Sequence, residues 1–188
     1  MKKSKRSLKY QHIDPKIRSE GDRINLRAVV ETPRGSRHKF ALDPEIGALT
    51  LKQTLASGLS WPYDYGFIPS TKGKDGDPLD IIVLMDEPTF SGCVLPVDLL
   101  GVIGLEEDGI ENNRFVAILS PSDETSLSTD GYHELSDLPP KLLSEIRNFL
   151  CQYSEEKGHK IELTGDKNKT EALALIEEGQ RAFDPGDD

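Results

Sequence analysis

Two hydrophobic patterns follow one another along the chain, and their order restricts the possible folds. Apolar residues alternate at period two from Ile24 to Val30 and form a nearly continuous run from Leu79 to Leu84. The first pattern is typical of a half-buried strand and the second of a strand buried on both faces. Apolar residues with the three- to four-residue spacing of a helix begin only after Pro139-Pro140, over residues 142–153. Strands followed by helices predict an α+β domain in which helices pack on a small barrel or curled sheet.

Shorter signals add further elements to this outline. Asp43-Pro44-Glu45-Ile46-Gly47 is typical of a turn, so residues 38–42 and 48–51 are predicted to form a hairpin around it. Residues 61–69 mix aromatic residues with Pro and Gly, which favours a loop or a short edge strand. The remaining predicted elements are strands over 94–105, 114–119 and 160–163, a first helix ending at Lys157-Gly158, and a second helix beginning after a cap at Asp166 or Thr170.

Composition divides the chain into three parts. Residues 1–22 are polar, with basic residues concentrated at their start, and we predict that they form a basic N-terminal arm. Residues 23–183 contain the predicted elements, and a chain of 188 residues has the length of one domain. Residues 184–188 form an acidic tail.

Charge and cysteine content exclude several classes of protein. The formal net charge of −10 would repel phosphates, which disfavours a nucleic-acid-binding protein or one that coats an anionic membrane. No apolar run has the length of a membrane-spanning helix, and no apolar stretch follows the basic N-terminus as in a signal peptide. Cys93 and Cys151 are isolated thiols, so we expect a cytoplasmic protein.

Three carboxylates, those of Asp75, Asp77 and Asp80, stand within six residues immediately before the buried strand. Like charges so close repel one another, a cost that a bound cation or several hydrogen-bond donors would offset. Carboxylate oxygens suit hard cations, Mg²⁺ before zinc. An EF-hand loop is excluded because its required Gly falls on Asp80 and its final Glu on Asp86. A solvated acidic turn that caps the strand is the alternative interpretation.

Several motifs around this acidic cluster occur in a fixed order. They are Glu31-Thr32-Pro33, Lys39, Gly47-Ala48-Leu49, Pro62-Tyr63-Asp64-Tyr65-Gly66-Phe67-Ile68 and Asp75-Gly76-Asp77-Pro78-Leu79-Asp80. In this combination the sequence resembles the soluble family I inorganic pyrophosphatases, whose signature is the D-G-D-P-x-D element. The resemblance extends from residue 24 to the helix that ends near Lys157.

The resemblance implies a fold and a reaction. The fold would be a small curled five-stranded, OB-like β-barrel with additional strands and two helices packed on it. The reaction would be hydrolysis of inorganic pyrophosphate to two phosphates by a water activated by several Mg²⁺ ions. The resemblance also implies a homo-oligomer.

Matching positions carry the functional roles that the resemblance implies. Asp77 would be the base that helps to deprotonate the attacking water. The metal ligands would be Asp75, Asp80, Glu31, Glu107 and Asn112, and the phosphate-binding residues would be Lys39, Tyr65, Arg114 and Tyr153. This division of labour is chemically reasonable, because two metal ions can lower the pKa of a shared water while cations stabilise the transferring phosphoryl group.

Other positions depart from the family pattern. Asn112 stands where an aspartate is expected, Glu107 where a second aspartate is expected, and Arg114 where a lysine is usual. An arginine, a lysine and an acid expected elsewhere are replaced by Gln53, Ser154 and Ala41. These departures favour an alternative function, a catalytically impaired pyrophosphatase-like protein that binds a phosphate compound or a protein partner. The intact acidic cluster favours the hydrolase.

Overall fold

The structure of the protein is a computed structural model that describes residues 10–120 and 131–184. Within these residues the chain forms ten strands, two α-helices and two short 3₁₀ helices, at Tyr10–His12 and Leu135–Asp137. The strands are β1 (Arg18–Glu20), β2 (Arg23–Thr32), β3 (His38–Asp43), β4 (Ala48–Thr54), β5 (Asp64–Phe67), β6 (Asp80–Leu84), β7 (Val94–Glu107), β8 (Ile110–Glu111), β9 (Arg114–Leu119) and β10 (Ile161–Asn168), and the α-helices are α1 (Pro140–Glu156) and α2 (Lys169–Ala182). The basic run in residues 1–9 and residues 185–188 of the predicted tail lie outside the described residues.

Five strands close into a ring. β2 pairs with β5, β5 with β6, β6 with β9 and β9 with β7, and β7 returns to β2. Only the β6–β9 pair among these is parallel. β1, β8 and β10 extend the sheet, and β3 and β4 form the predicted hairpin. The ring and the two helices confirm the predicted fold class.

The position of β5 differs from the one predicted for its segment. Residues 61–69 favoured a loop or a short edge strand, but Asp64–Phe67 is buried and pairs on both sides. Gly66 permits this close approach, because a Cβ at that residue would lie 1.8 Å from the Val29 carbonyl oxygen of β2. Four residues are too few to show alternation, so the sequence pattern did not reveal an inner strand.

The two helices pack on the ring through regular apolar stripes. In α1 the buried side chains include Ile146, Leu150 and Tyr153, and in α2 they include Ala172 and Ile176. Residues three or four apart lie on one face of a helix, so each stripe contacts a separate cluster of the apolar core.

The N-terminus of α2 differs in detail from the prediction. Its cap is Asn168, whose side-chain oxygen accepts hydrogen bonds from the backbone nitrogens of Thr170 (2.9 Å) and Glu171 (3.0 Å). The strand β10 continues through the predicted cap position at Asp166, because its pairing with β7 extends to Asn168.

Part of the predicted N-terminal arm lies on the sheet. Arg18–Glu20 forms β1, antiparallel to β2, and the backbone nitrogen of Ser70 donates a 2.6 Å hydrogen bond to the Gln11 carbonyl. The boundary between arm and domain after residue 22 stays a prediction. Within the described residues, no helix combines the length and hydropathy needed to cross a membrane.

Candidate active site

Asp80 and Arg114 are the first residues of two neighbouring parallel strands. Ile81 of β6 pairs in register with Phe115 of β9, so the residues before them start the strands at the same edge of the sheet. Arg114 Nη1 lies 2.9 Å from Asp80 Oδ2, and the Arg114 side chain is only 9% exposed. The parallel register therefore creates a buried ion pair between residues 34 positions apart in sequence.

The acidic loop before β6, residues 72–79, is held by hydrogen bonds within the loop and to helix α2. The backbone nitrogen of Gly73 donates to the Asp77 carbonyl (2.7 Å), and the backbone nitrogen of Asp77 donates to Asp75 Oδ1 (3.1 Å). From the outside, the Gly179 carbonyl of α2 accepts a 3.0 Å hydrogen bond from the backbone nitrogen of Lys72. The last turn of α2 thus fixes the loop that carries the predicted base and a predicted metal ligand.

Glu31, near the end of β2, brings a buried carboxylate to the same region. The residue is 7% exposed, and its Oε1 accepts a 2.6 Å hydrogen bond from the backbone nitrogen of Leu42 in β3. Burial raises the pKa of Glu31 from 4.5 to about 7, with a smaller contribution in the same direction from Asp80 and Asp77. A buried carboxylate of this kind favours a proton or a cation.

Lys39 of β3 lies among aromatic rings. Its Nζ is 5.9, 5.7 and 5.2 Å from the ring centroids of Trp61, Tyr65 and Tyr153. Burial alone would lower the pKa of Lys39, but Tyr153 and Asp80 outweigh burial and raise it. The ammonium group therefore stays charged, with the negative faces of the rings supporting it.

Tyr65 is buried behind the wall of the site. The side chain is 4% exposed and packs against Trp61, with ring centroids 4.7 Å apart. Burial raises the pKa of Tyr65 well above its usual value, and the nearby Asp80 carboxylate acts in the same direction. Tyr65 therefore lies beside Asp80, behind the wall of the site.

All of these elements face one cavity of about 640 Å³. Every predicted site residue except Tyr65 lines it, namely Glu31, Lys39, Asp75, Asp77, Asp80, Glu107, Asn112, Arg114 and Tyr153. Two positions that depart from the family pattern, Ala41 and Gln53, line it as well. The third, Ser154, is buried in α1 and 3% exposed.

Glu107, the last residue of β7, lies among hydrogen-bond donors and cations. Its carboxylate accepts a 3.1 Å hydrogen bond from Asn112 Nδ2. Lys157 Nζ is 3.6 Å away, His159 Nε2 3.8 Å and Arg114 Nη2 3.9 Å. The surroundings of Glu107 therefore carry more positive charge than those of the acidic loop.

Sequence reasoning missed several residues that line the cavity. Lys157 is the most notable, because its Nζ lies 5.4 Å from the Tyr153 ring centroid and it follows that tyrosine by four residues. The i, i+4 spacing on a helix is the signal that could have identified it. Gln11, Phe183 and Asp184, from the two ends of the described chain, line the cavity too, and no local pattern pointed to them.

The carboxylates of the acidic loop are candidate ligands for a hydrated divalent cation. Within residues 10–120 and 131–184, no three His, Cys, Asp or Glu side chains form a compact cluster of the kind that encloses a metal. Mg²⁺ does not require one, since it usually keeps several waters and binds through one or two carboxylates. Burial, followed by the charges of Asp80 and Asp77, raises the pKa of Asp75, and a cation there would offset this repulsion.

The sequence matches a protein family over most of its length. A family model described as inorganic pyrophosphatase covers residues 28–184. An inorganic pyrophosphatase of Halalkalibacterium halodurans is 33% identical over 166 residues, which are 88% of this chain and 94% of that protein. Another, of Haloferax volcanii, is 33% identical over 160 residues, 85% of this chain and 88% of that protein.

Solved structures are similar in fold. The inorganic pyrophosphatase of Thermus thermophilus superposes with a TM-score of 0.80 at 27% identity, covering 93% of this chain and 98% of that one. The enzyme of Helicobacter pylori gives a TM-score of 0.77 at 30% identity, with coverage of 88% and 96%.

Proposed function

The chain belongs to the inorganic pyrophosphatase family, and we propose that it hydrolyses inorganic pyrophosphate to two phosphates with Mg²⁺ as its cofactor. The observation that carries the proposal is the shared cavity in which the acidic loop faces Lys39, Arg114 and Tyr153. A diphosphate is a dense anion, and a cavity lined by both cations and metal-binding carboxylates suits it.

Asp75, Asp80 and Glu31 would hold the magnesium. Bound Mg²⁺ supplies charge that neutralises the substrate and makes a nearby water more acidic. Arg114 orients Asp80 through their ion pair, and the Leu42 backbone nitrogen orients Glu31. Glu107 and Asn112, the other predicted ligands, lie beside the Arg114 guanidinium, which contacts both of them as well as Asp80.

Asp77 would act as the general base. Its side chain is exposed to the cavity, and the loop that carries it is fixed by hydrogen bonds on both sides. As Asp77 takes the proton, the water oxygen bonds to one phosphorus and the bond from that phosphorus to the bridging oxygen breaks. The bridging oxygen leaves with the second phosphate. A positioned base of this type contributes on the order of 10²–10⁴-fold to a rate.

Lys39, Arg114 and Tyr153 would bind the phosphate groups. The two cations stabilise negative charge that develops on the transferring group. Arg114 also pairs with Asp80, so it joins the phosphate side of the cavity to the metal side. Tyr153 donates a 3.4 Å hydrogen bond to Gln53 Oε1, which sets the direction of its hydroxyl.

Phosphate release from pyrophosphate, measured with Mg²⁺ and then with EDTA, tests the proposal. We expect release that EDTA abolishes. No release above background at high protein concentration would contradict it and favour the alternative of a binding protein without turnover. The family membership supports hydrolysis over that alternative.

Cellular location and assembly complete the proposal. We place the protein in the cytoplasm, where thiols such as those of Cys93 and Cys151 stay reduced; both are free in the structure. Self-association into a homo-oligomer follows from the family resemblance, and light scattering coupled to gel filtration would test it.

A further inference from the structure

Glu107 has the surroundings of a counter-ion to cations. Three basic side chains, Arg114, Lys157 and His159, approach its carboxylate within 3.9 Å, and the Asn112 amide donates to it. His159 also contacts a second carboxylate, since its Nδ1 lies 2.7 Å from Asp108 Oδ2. A divalent cation on Glu107 would stand a few ångströms from two permanent positive charges, those of Arg114 and Lys157, whereas the ion pairs of the described residues give Asp80 only Arg114. The arrangement at Glu107 is therefore the less favourable of the two for a metal ion.

Lys157 reaches the cavity because of helix geometry. It follows Tyr153 by four residues, so the two side chains lie on the same face of the helix at its C-terminal end. Lys157 caps α1, and its backbone nitrogen donates to the Ser154 carbonyl. Ser154, one residue after the tyrosine, faces the interior and is 3% exposed. At the C-terminal end of α1, Lys157 is therefore the residue that places a positive charge beside the Tyr153 ring.

Two contacts aim the Lys157 ammonium group at the cavity. Its Nζ lies 5.4 Å from the Tyr153 ring centroid and 3.6 Å from Glu107 Oε1. The side chain is 31% exposed, so the group keeps access to an anion in the cavity. The lysine is held by partners on two sides and still has donors to offer.

We propose that Lys157 is a phosphate-binding residue positioned by Glu107, and that the end of the cavity formed by Glu107, Asn112, Arg114 and Lys157 accepts a phosphate group of the substrate rather than a divalent cation. The identity of the ligand rests on the proposed function, whereas the positions of Arg114 and Lys157 around Glu107 are independent of it. This proposal replaces the expectation that Glu107 and Asn112 bind metal, and it confines Mg²⁺ to the side of Asp75, Asp80 and Glu31.

Steady-state kinetics of Lys157→Gln test the first part. We expect KM for pyrophosphate to rise about tenfold or more, the effect of losing a charged hydrogen bond, while kcat changes less. Lys157→Arg should restore most of the affinity because it restores the charge. The control is Lys141→Gln on the same helix, whose side chain is 89% exposed and pairs only with Glu145 among the contacts that the structure gives it. Equal KM values for Lys157→Gln and Lys141→Gln would overturn the proposal.

A binding measurement separates this inference from the proposed function. Methylenediphosphonate, in which a CH₂ group replaces the bridging oxygen, is titrated calorimetrically into the wild type and both glutamine variants in the presence of Mg²⁺. Weaker binding by Lys157→Gln alone supports the inference even if the wild type releases no phosphate. Identical binding by all three proteins overturns it even if the wild type is active.

Metal binding by Glu107→Gln tests the second part. Mn²⁺ is titrated into the protein without substrate, and electron paramagnetic resonance measures the free ion. The titration gives the number of metal sites and their affinity. We expect the same number of sites as in the wild type and an affinity within about threefold. Changing a residue that only supports a metal ligand lowers the metal affinity roughly 10–100-fold. If Glu107 were itself a ligand, its replacement should lower the affinity for Mn²⁺ by more than that. Loss of one Mn²⁺ per chain would overturn this part of the proposal.

Discussion

Arg114 Nη1 lies 2.9 Å from Asp80 Oδ2 because these residues begin two adjacent parallel strands of the ring. One residue was predicted as a phosphate-binding group and the other as a metal ligand. Their ion pair couples the two halves of the site, so a change in either residue is expected to affect both substrate binding and metal binding.

Arg114→Met should destabilise the metal-free protein by about 2 kcal/mol or more, because it leaves the partly buried Asp80 carboxylate without its partner. Mg²⁺ should restore part of the lost stability by taking over the neutralisation of Asp80. Urea unfolding with and without Mg²⁺ measures both effects. The matched control is Arg147→Met, whose ion pair with Asp166 is more exposed and should contribute less than about 1 kcal/mol. Equal losses in the two variants would contradict the coupling.

Asp77→Asn should lower kcat by about 10²–10⁴-fold, because the amide cannot accept the proton from the attacking water. The fold should be unchanged, since the backbone of Asp77 rather than its carboxylate makes the hydrogen bonds within the loop. Phosphate release and far-ultraviolet circular dichroism measure the two properties. Glu162→Gln, on the exposed part of β10, is the control and should keep wild-type kcat. An active Asp77→Asn variant would assign the base to another group.

Glu31→Gln should stabilise the protein at alkaline pH when no metal is present. Burial raises the pKa of Glu31 in the folded state to about 7 from an ordinary value of 4.5, so the folded state holds the proton more tightly. The wild type therefore loses stability as pH rises through this window, by up to about 3 kcal/mol. The amide introduced by the substitution does not titrate, and its oxygen can still accept a hydrogen bond from the Leu42 backbone nitrogen.

Urea unfolding in EDTA across a pH range of about 4 to 8, which spans the two pKa values, measures the difference between wild type and Glu31→Gln. The two proteins should be similar at the acidic end, with the variant more stable at the alkaline end. Mg²⁺ should reduce the advantage of the variant by binding the wild-type carboxylate. A difference that does not vary with pH would contradict the raised pKa.

Asn112→Asp should create a cation site that the wild type lacks. The Asn112 amide donates to Glu107 Oε2 over 3.1 Å, and its oxygen accepts from Arg114. An aspartate there would add a second carboxylate beside Glu107, and this additional negative charge favours a bound cation. Thermal unfolding should show a larger Mg²⁺-induced rise in Tm for the variant than for the wild type. An identical Mg²⁺ response would show that the loop after β8 turns this side chain away from Glu107.

Gly66→Ala should prevent or strongly weaken folding. The added Cβ would meet the Val29 carbonyl oxygen at 1.8 Å, and separating β5 from β2 would open the ring at a cost of about 3 kcal/mol or more. Gly131→Ala is the control, since nothing lies within 4 Å of a Cβ at that residue. Soluble yield and urea unfolding compare the two. A stable Gly66→Ala protein would contradict the closeness of these strands.

Most of the secondary structure was predictable because the signals are local. The alternation in β2, the apolar run of β6 and the stripe of α1 each extend over five or more residues. The short β5 was misplaced as a possible edge strand, because its pairing on both sides depends on β2 and β6 rather than on its own four residues. The cap of α2, Asn168, lies between the two predicted positions, Asp166 and Thr170.

The candidate site was predictable as a set of residues and less so as an arrangement. All of the predicted residues except Tyr65 line one cavity, because the family motifs identify them without reference to geometry. No motif showed that Glu107 lies among cations or that Tyr65 is buried beside Asp80. Those contacts join residues from different strands and a helix.

The sequence by itself determined the order of strands and helices and the acidic loop before β6, since hydrophobic periodicity and motif chemistry act over a few neighbouring residues. Only the tertiary structure decided which charges meet. The parallel register of β6 and β9 brings Arg114 to Asp80, and the rotation of α1 points Lys157 to the cavity while Ser154 is buried. Register and rotation result from packing among residues far apart in sequence, and this packing sets the electrostatics of the site.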